Sequence, residues 1–253
     1  MIRLKSDKDI AMLCKSGLIL GALLKELKSL ARVGLALRDL DIHARDFLAS
    51  CAATPAFLGY RPEGTRKAYP AAICTSLNEV VVHGLPSSRV LKDGDLLKID
   101  AGVSYEGYIT DAAVTVPIGK VSASAHKLIA SAEEALKAGI KSVKLGGHIG
   151  DIGYAIERVA KKHGMKVIRG LTGHGVGFAL HEDPVIYNYG EKGTGIEIVP
   201  GMVLAIEPMF SISSQSIIQQ SDDSYATADG SLSVHFEHTI AITKEGTEIL
   251  TKY

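Results

Sequence analysis

The sequence has few of the features that mark secreted, disulfide-stabilised or membrane-bound proteins. Its 253 residues include no Trp, only 6% aromatic residues and three cysteines. Cys14, Cys51 and Cys74 are an odd number, lie far apart and form no C-x-x-C pair. A disulfide framework or a structural zinc site is therefore not expected, and the thiols fit a reducing compartment.

The sequence also lacks an excess of charge and a long apolar run. Lys and Arg together number 28, as do Asp and Glu, so the formal net charge is zero. This balance offers no general attraction to nucleic acid or to an anionic membrane. The apolar run at residues 17–24 is too short to cross a bilayer and lacks the layout of a signal peptide. We expect a cytoplasmic protein with no membrane partner and no specific nucleic-acid partner.

The chain does contain a clear alternation of helical and strand patterns. Apolar spacing predicts helices at residues 6–34, 37–52, 123–143 and 148–163. Strand-like runs occur at residues 72–75, 80–83, 96–103, 109–118, 166–168, 203–211, 234–243 and 247–250. Two helices followed by strands occur twice. We therefore predict one α+β domain over residues 1–253, with similar halves of about 1–120 and 121–253 and a site between them.

Five ionisable residues lie in apolar or glycine-rich segments, where a lone charge would be costly. They are Asp100, Asp111, His174, Glu207 and Glu237. Asp100 ends the apolar part of LLKIDAG, and Glu207 interrupts VLAIEPMF. Any one of the acids is equally well explained as an outward-facing strand residue or as half of a buried salt bridge. Four together are harder to explain in that way.

Divalent metal ions would resolve the repulsion among the four acids. Carboxylates gathered in one cavity repel one another strongly, and Lys98 is the only cation near any of them in these segments. Oxygen ligands with one imidazole suit Mn, Fe, Co or Zn. We predict two divalent ions that are bridged by carboxylates and activate a shared water.

The histidines allow more than one interpretation. His174 lies among glycines in GHGVG, which permit a sharp turn and the close approach of a ligand. His181 begins HEDP, which is not the HExxH zinc motif, because Val stands where the second histidine would be. For His83 alone, at the end of an apolar strand, a structural histidine is the commoner explanation. His235 flanks Glu237 and is interpreted as support for its strand.

Other catalytic signatures do not occur in the sequence. There is no GxSxG nucleophile elbow and no GxxxxGK[ST] phosphate-binding loop. GHGVGF lacks the third glycine of the dinucleotide-binding pattern.

Taken in order, several segments resemble the successive motifs of the type I methionine aminopeptidases of peptidase family M24. They are NEVVVHGLP, LLKIDAG with YITDAAVTV, TGHGVGFALHEDP, GMVLAIEPMF and GSLSVHFEHTIAIT. The resemblance runs from about residue 1 to the C-terminus. It implies the pita-bread α+β fold, with two pseudo-symmetric halves around an antiparallel sheet. It also implies removal of the N-terminal methionine from nascent polypeptides by attack of water on the first peptide bond.

The resemblance further implies a role for each candidate ligand. Asp100 would bind one of two metal ions, which would be Co, Mn, Fe or Zn. Asp111 and Glu237 would bridge both ions. His174 and Glu207 would hold the second ion, and Glu207 would also carry a proton from the attacking water to the leaving amine.

Two histidines would contact the substrate. His181 would donate a hydrogen bond to the substrate carbonyl or to the oxyanion, and His83 would contact the scissile amide nitrogen or the next residue. The implied partners are the N-terminal methionine of nascent polypeptides and the ribosome surface, and the implied state is a monomer.

The side-chain pocket departs from the family pattern. The positions that the resemblance assigns to it are Phe57, Tyr60, Tyr69, Cys74 and Leu180. Phe57 stands where the family often has Cys, and Leu180 where it often has Phe. The loop at residues 62–68 is longer than usual, and His235 stands where the family usually has Gln. These departures leave the metal ligands intact and bear on the shape of the pocket.

Two other functions remain open. A prolidase or Xaa-Pro aminopeptidase on the same fold shares the IDAG and GHGVG motifs. Such enzymes typically carry a further N-terminal domain and an Arg-rich motif near the last Glu, and FEHT favours the methionine aminopeptidases. A non-catalytic peptide-binding protein on this fold generally lacks metal ligands, all of which are present here.

Overall fold

Helices and antiparallel strands make up the computed structural model, which describes residues 2–61 and 67–253. The helices are α1 (Asp7–Leu30), α2 (Leu37–Ser50), α3 (Ala123–Ser142) and α4 (Ile149–His163). The strands are β1 (Thr54–Pro55), β2 (Ile73–Leu77), β3 (Val80–Val82), β4 (Leu96–Tyr105), β5 (Tyr108–Pro117), β6 (Lys166–Val167), β7 (Gly173–Gly175), β8 (Glu182–Ile186), β9 (Val203–Ile206), β10 (Met209–Ser211), β11 (Ile217–Gln219), β12 (Tyr225–Thr227), β13 (Ser233–His235), β14 (His238–Thr243) and β15 (Gly246–Ile249).

The helices begin and end close to the predicted positions because their caps are written in the sequence. α1 opens with a capping box, in which the Ser6 hydroxyl accepts from the Asp9 N–H and the Asp9 carboxylate accepts from the Ser6 N–H. It ends at Leu30, earlier than predicted. α4 ends before Gly164, whose left-handed φ of 72° suits a residue without a side chain.

The strands form four hydrogen-bonded sheets among the described residues, and every strand pair is antiparallel. The first sheet contains β1, β2, β4 and β5, and the largest has the order β15-β14-β9-β7-β8. Two smaller sheets have the orders β13-β10-β6 and β11-β12-β3. The sequence pattern did not predict β1, β7, β8, β11 or β12, because strands of two to five residues are too short to show a clear alternation.

Two predicted strands are interrupted, and each break falls at a candidate ligand. One is the pair β9 and β10, separated at Glu207, and the other is β13 and β14, separated at Glu237. Pro208 has no N–H to offer a ladder. The N–H of Glu237 donates instead to the carbonyl of Ala113, at 2.9 Å. The prediction of continuous strands was wrong here, because both glutamates leave the regular ladder.

A large apolar core joins the two predicted halves. It contains Leu24 of α1, Leu97 of β4, Leu128 of α3 and Ile206 of β9, all fully buried. Burial of each such side chain contributes about 1.5–3 kcal/mol. All three cysteines are free thiols, as predicted. Among the described residues, no helix has both the length and the apolar character needed to cross a membrane.

Candidate metal centre

Asp100 and Asp111 lie on the hairpin of β4 and β5. The register pairs Asp100 with Ala113 and Gly102 with Asp111, so the two aspartates are diagonal neighbours on one face. The Thr239 hydroxyl fixes the second aspartate from the opposite half of the chain. It accepts from the Asp111 N–H at 2.9 Å and donates to the Asp111 carbonyl at 2.7 Å.

His174 lies on β7, between β8 and β9, where the backbones approach closely. A Cβ atom at Gly173 would collide with the carbonyl of Ala205, and one at Gly175 with the carbonyl of Asp183. Only glycines therefore allow this histidine between its two neighbouring strands. His174 Nδ1 donates to the Gly175 carbonyl at 2.9 Å, which leaves the lone pair on Nε2. A second-nitrogen hydrogen bond of this kind is typical of histidines that bind metal.

Glu207 and Glu237 face each other beside the last pair of β9 and β14. Ile206 pairs with His238, and the two glutamates are the residues next to that pair. The side-chain amide of Asn188 donates to the Glu207 carbonyl at 2.9 Å, which fixes the backbone after the strand ends. Both glutamates are buried, and Glu237 is only 1% exposed.

The predicted ligands converge in one buried cluster. His174 Nε2 lies 3.6 Å from Glu207 Oε1 and 3.9 Å from Asp111 Oδ2. Ligand atoms of Asp111, His174 and Glu237 all lie within 4.8 Å of one another. One carboxylate oxygen of each of Asp100, Asp111 and Glu237 is buried without a hydrogen-bond partner. Such atoms are costly to bury, and a divalent ion would satisfy them, so the residues present fit metal.

Burial and mutual repulsion alter the acidity of the whole cluster. Burial, with a further contribution from the Glu207 carboxylate, raises the pKa of Asp100 to about 7. Burial also raises the pKa values of Asp111, Glu207 and Glu237 well above their usual range. The pKa of His174 is lowered by burial to about 4, so its imidazole is neutral at pH 7 and can bind metal. A divalent ion would replace protons on the acids.

His181 lies at the solvent-exposed edge of this cluster, with its ring 4.4 Å from that of His174. Its Nδ1 is 2.6 Å from the Tyr60 hydroxyl. Burial raises the pKa of Tyr60, so the phenol stays protonated and donates, which leaves the His181 proton on Nε2. Glu182 fixes the preceding loop by accepting two backbone N–H groups and pairing with Lys5 at 2.6 Å.

His83 follows β3 and is also exposed to solvent. Its φ of 62° lies in the left-handed region, which is unfavourable for a residue with a side chain. Such strain is found most often at functional sites. The ring packs edge-on against Tyr225 with centroids 5.8 Å apart.

Comparison with known proteins identifies the family. Residues 12–244 match the model of metallopeptidase family M24. The chain belongs to metallopeptidase family M24. A methionine aminopeptidase of Clostridium acetobutylicum is 42% identical over 253 residues and is matched over 99% of both chains. Methionine aminopeptidase 1 of Bacillus subtilis is 40% identical over the full length of both chains.

Solved structures confirm the predicted pita-bread fold for this M24 protein. A methionine aminopeptidase from Thermotoga maritima superposes with a TM-score of 0.95 at 40% identity, with both chains covered completely. A prolidase from Pyrococcus furiosus has a TM-score of 0.79 at 22% identity and shares the fold. This chain covers only 65% of that prolidase.

The residues predicted to line a side-chain pocket also come together in the M24 chain. Phe57, Cys74 and Leu180 form one buried apolar cluster. Tyr60 and Tyr69 pack against it. The cluster adjoins the acids, because Cys74 pairs with Asp100 across β2 and β4. The predicted long loop at residues 62–68 lies largely outside the described residues, which omit 62–66.

One member of this M24 site was missed by the sequence interpretation. His235 is 1% exposed, and its Nε2 lies 3.2 Å from Glu207 Oε2 and 3.8 Å from Glu237 Oε2. Its backbone is held by the Thr115 hydroxyl, which donates to the His235 carbonyl and accepts from its N–H. The departure from the usual Gln at this position was the signal available in the sequence.

The lysine nearest the acids in sequence does not neutralise them. Lys98 is buried on β4, and its ammonium donates to the Asn78 carbonyl at 2.7 Å. Within residues 2–61 and 67–253, no ion pair joins Lys98 to the acids of the site. The negative charge of the cluster is therefore left for metal or protons to balance.

Proposed function

We propose that this M24 protein is a methionine aminopeptidase that removes the N-terminal methionine from new polypeptides. The observation that carries the proposal is that relatives of that name, at about 40% identity, cover the whole chain. New N-termini emerge from the ribosome, so we place the activity in the cytoplasm, close to the ribosome surface, with the protein acting as a monomer.

The ligand assignment in this proposal follows the buried cluster. Two divalent ions are held, with Asp100 on one ion and the pair His174 and Glu207 on the other. Asp111 and Glu237 lie between these groups and bridge both ions. Support comes from the unpartnered carboxylate oxygens and from the Nε2 lone pair of His174. Co, Mn, Fe and Zn all accept such a mixture of carboxylate and imidazole ligands.

The protein groups around the ions divide the remaining work. Divalent ions, when bound, lower the pKa of water and polarise a peptide carbonyl. Glu207 accepts a proton from the attacking water and delivers it to the leaving amine, which suits a carboxylate whose pKa is raised by burial. His181 donates from Nε2 to the carbonyl oxygen as negative charge develops there. His83 contacts the peptide at the scissile nitrogen or just beyond.

The apolar cluster next to the metal site is the proposed methionine pocket. Its lining residues are Phe57, Tyr60, Tyr69, Cys74 and Leu180. Phe57 and Tyr69 pack edge to face with centroids 6.3 Å apart. A flexible thioether side chain is well matched to a pocket of aromatic rings and a thiol, because sulfur makes favourable contacts with ring edges.

A peptide comparison tests the proposed specificity. With added Mn or Co, the protein is expected to release methionine from Met-Gly-Met-Met and to leave Gly-Pro peptides intact, because the apolar pocket accepts the Met side chain. Product release is measured by chromatography, with a chelator-treated sample as the control. Preference for the proline substrate would instead support a prolidase. Hydrolysis of neither peptide by metal-loaded protein would support a binding protein.

Replacing His181 by Ala is expected to lower kcat on the methionine peptide by about 100-fold or more, the usual loss when one oxyanion donor is removed. Metal affinity should stay unchanged, because the assigned ligands are untouched. Steady-state kinetics and metal titration check the two quantities separately. His126→Ala, an exposed histidine on α3, is the matched control. An equal loss of turnover and of metal affinity would make His181 a ligand instead.

A further inference from the structure

His235 is the histidine of the site that the ligand assignment above does not use. Its side chain is buried, and neither Nδ1 nor Nε2 has a hydrogen-bond partner. A buried imidazole normally has at least one nitrogen satisfied, and leaving both without partners is costly. The arrangement therefore calls for a ligand at one of the two nitrogens.

The carboxylate of Glu207 lies between two imidazoles. Its Oε1 is 3.6 Å from His174 Nε2, and its Oε2 is 3.2 Å from His235 Nε2. The second imidazole also faces Glu237 Oε2, at 3.8 Å. Ligand atoms of Glu207, His235 and Glu237 all lie within 4.8 Å of one another, so they form a second group able to hold a metal ion.

The separations fit a shared ion. Two atoms that each lie about 2.0–2.2 Å from one metal ion are about 3.0–3.5 Å apart in tetrahedral or octahedral geometry. The distance from His235 Nε2 to Glu207 Oε2, 3.2 Å, falls within that range. The same two atoms satisfy no hydrogen-bond geometry, since Nε2 has no such partner.

We propose that His235 is a further metal ligand, which binds through Nε2 to the ion held by Glu207 and Glu237. This inference rests on the proposed function, because it places His235 in the same metal site. The site then has one imidazole on each side of Glu207, contributed by β7 and β13. A nitrogen-richer ligand set shifts preference towards Zn, Fe and Co and away from Mn and Mg, which favour oxygen.

The experiment uses the full-length protein with ¹⁵N-labelled histidine, loaded with Zn²⁺. Side-chain ¹⁵N NMR distinguishes a metal-bound nitrogen from a protonated or free one. We expect the His235 ring, assigned through its backbone signals, to be metal-bound at Nε2 in addition to the His174 ring. In His235→Gln the corresponding signal should disappear, and Zn²⁺ affinity should fall at least about tenfold, with a smaller change for Mn²⁺.

His238→Gln is the matched control. This neighbouring histidine is also largely buried, but its Nδ1 has the Thr251 hydroxyl as a partner at 3.0 Å and its ring packs on Tyr253. Both metal-bound rings should persist in this variant. Thermal melting establishes that each variant is folded, and the measurement on the unaltered protein decides the point even where a variant is not.

The outcomes separate this inference from the proposed function. If the His235 ring is not metal-bound in the zinc-loaded protein, the inference is overturned, and His235 acts only on the orientation of Glu207. Release of methionine by that same protein would leave the function standing. A metal-bound His235 ring in a protein that hydrolyses no methionine peptide would support the ligand and overturn the function.

Discussion

Asp111→Asn is expected to abolish metal loading and peptide hydrolysis while leaving the fold intact. Asp111 lies between the groups assigned to the two ions, so its charge serves both. We expect metal affinity to fall by at least about 100-fold, the upper end of the loss seen when only an outer-shell partner is removed. Chelator competition measures the affinity, and release of methionine measures the activity.

The folded state is the internal control for that variant. Asn keeps the shape of Asp and removes one of four buried acids, so the metal-free variant should melt no lower than the metal-free parent protein. Asp46→Asn, an exposed aspartate on α2, removes the same charge far from the cluster and should change nothing. Full metal loading and full activity in Asp111→Asn would contradict the bridging role.

The gain in melting temperature on metal loading is expected to be larger at pH 8 than at pH 6. Acids whose pKa is raised by folding stabilise the metal-free fold fully only below their unfolded pKa values, near 4. That stability is lost as the pH rises through the folded values. For Asp100, a rise from 3.8 to about 7 corresponds to on the order of 4 kcal/mol lost by high pH. Bound metal removes this penalty, and at pH 6 it must first displace protons.

Comparing metal-loaded with metal-free protein at each pH isolates this effect. Lys98, whose pKa is lowered to about 7 by burial, contributes a pH dependence of the opposite sign. It contributes equally to both samples and so cancels in the difference. Differential scanning calorimetry with and without chelator provides the measurement, and Asp111→Asn should show a smaller dependence on pH. A gain that is equal at the two pH values would show that the acids are ionised in the metal-free fold.

Much of the site could be predicted because burying a charge is costly wherever it occurs in a chain. Asp100, Glu207 and Glu237 stand out as acids inside apolar runs, and the structure buries all three. His174 stands out through its glycines, which the structure uses to bring three strands together. Helix ends were predicted for a similar reason, since the capping groups of Ser6 and Gly164 are local.

His235 shows where that reasoning stops. Its sequence neighbours are those of an ordinary strand, and the interpretation as strand support followed from them. The direction of its side chain depends instead on the break after β13 and on the Thr115 hydroxyl, 120 residues away. The proton position on His181 likewise depends on the phenol of Tyr60, 121 residues distant.

The sequence by itself determined the chemistry of this protein: hard carboxylate ligands with imidazole, in a chain without the charge excess or apolar span of other classes. Those properties belong to residue types and their near neighbours. Only the tertiary structure decided which atoms face one another. It placed Glu207 between two imidazoles and exchanged hydrogen bonds between Thr239 and Asp111 across 128 residues. Pairing across such distances is set by strand register and strand breaks, which local sequence patterns do not encode.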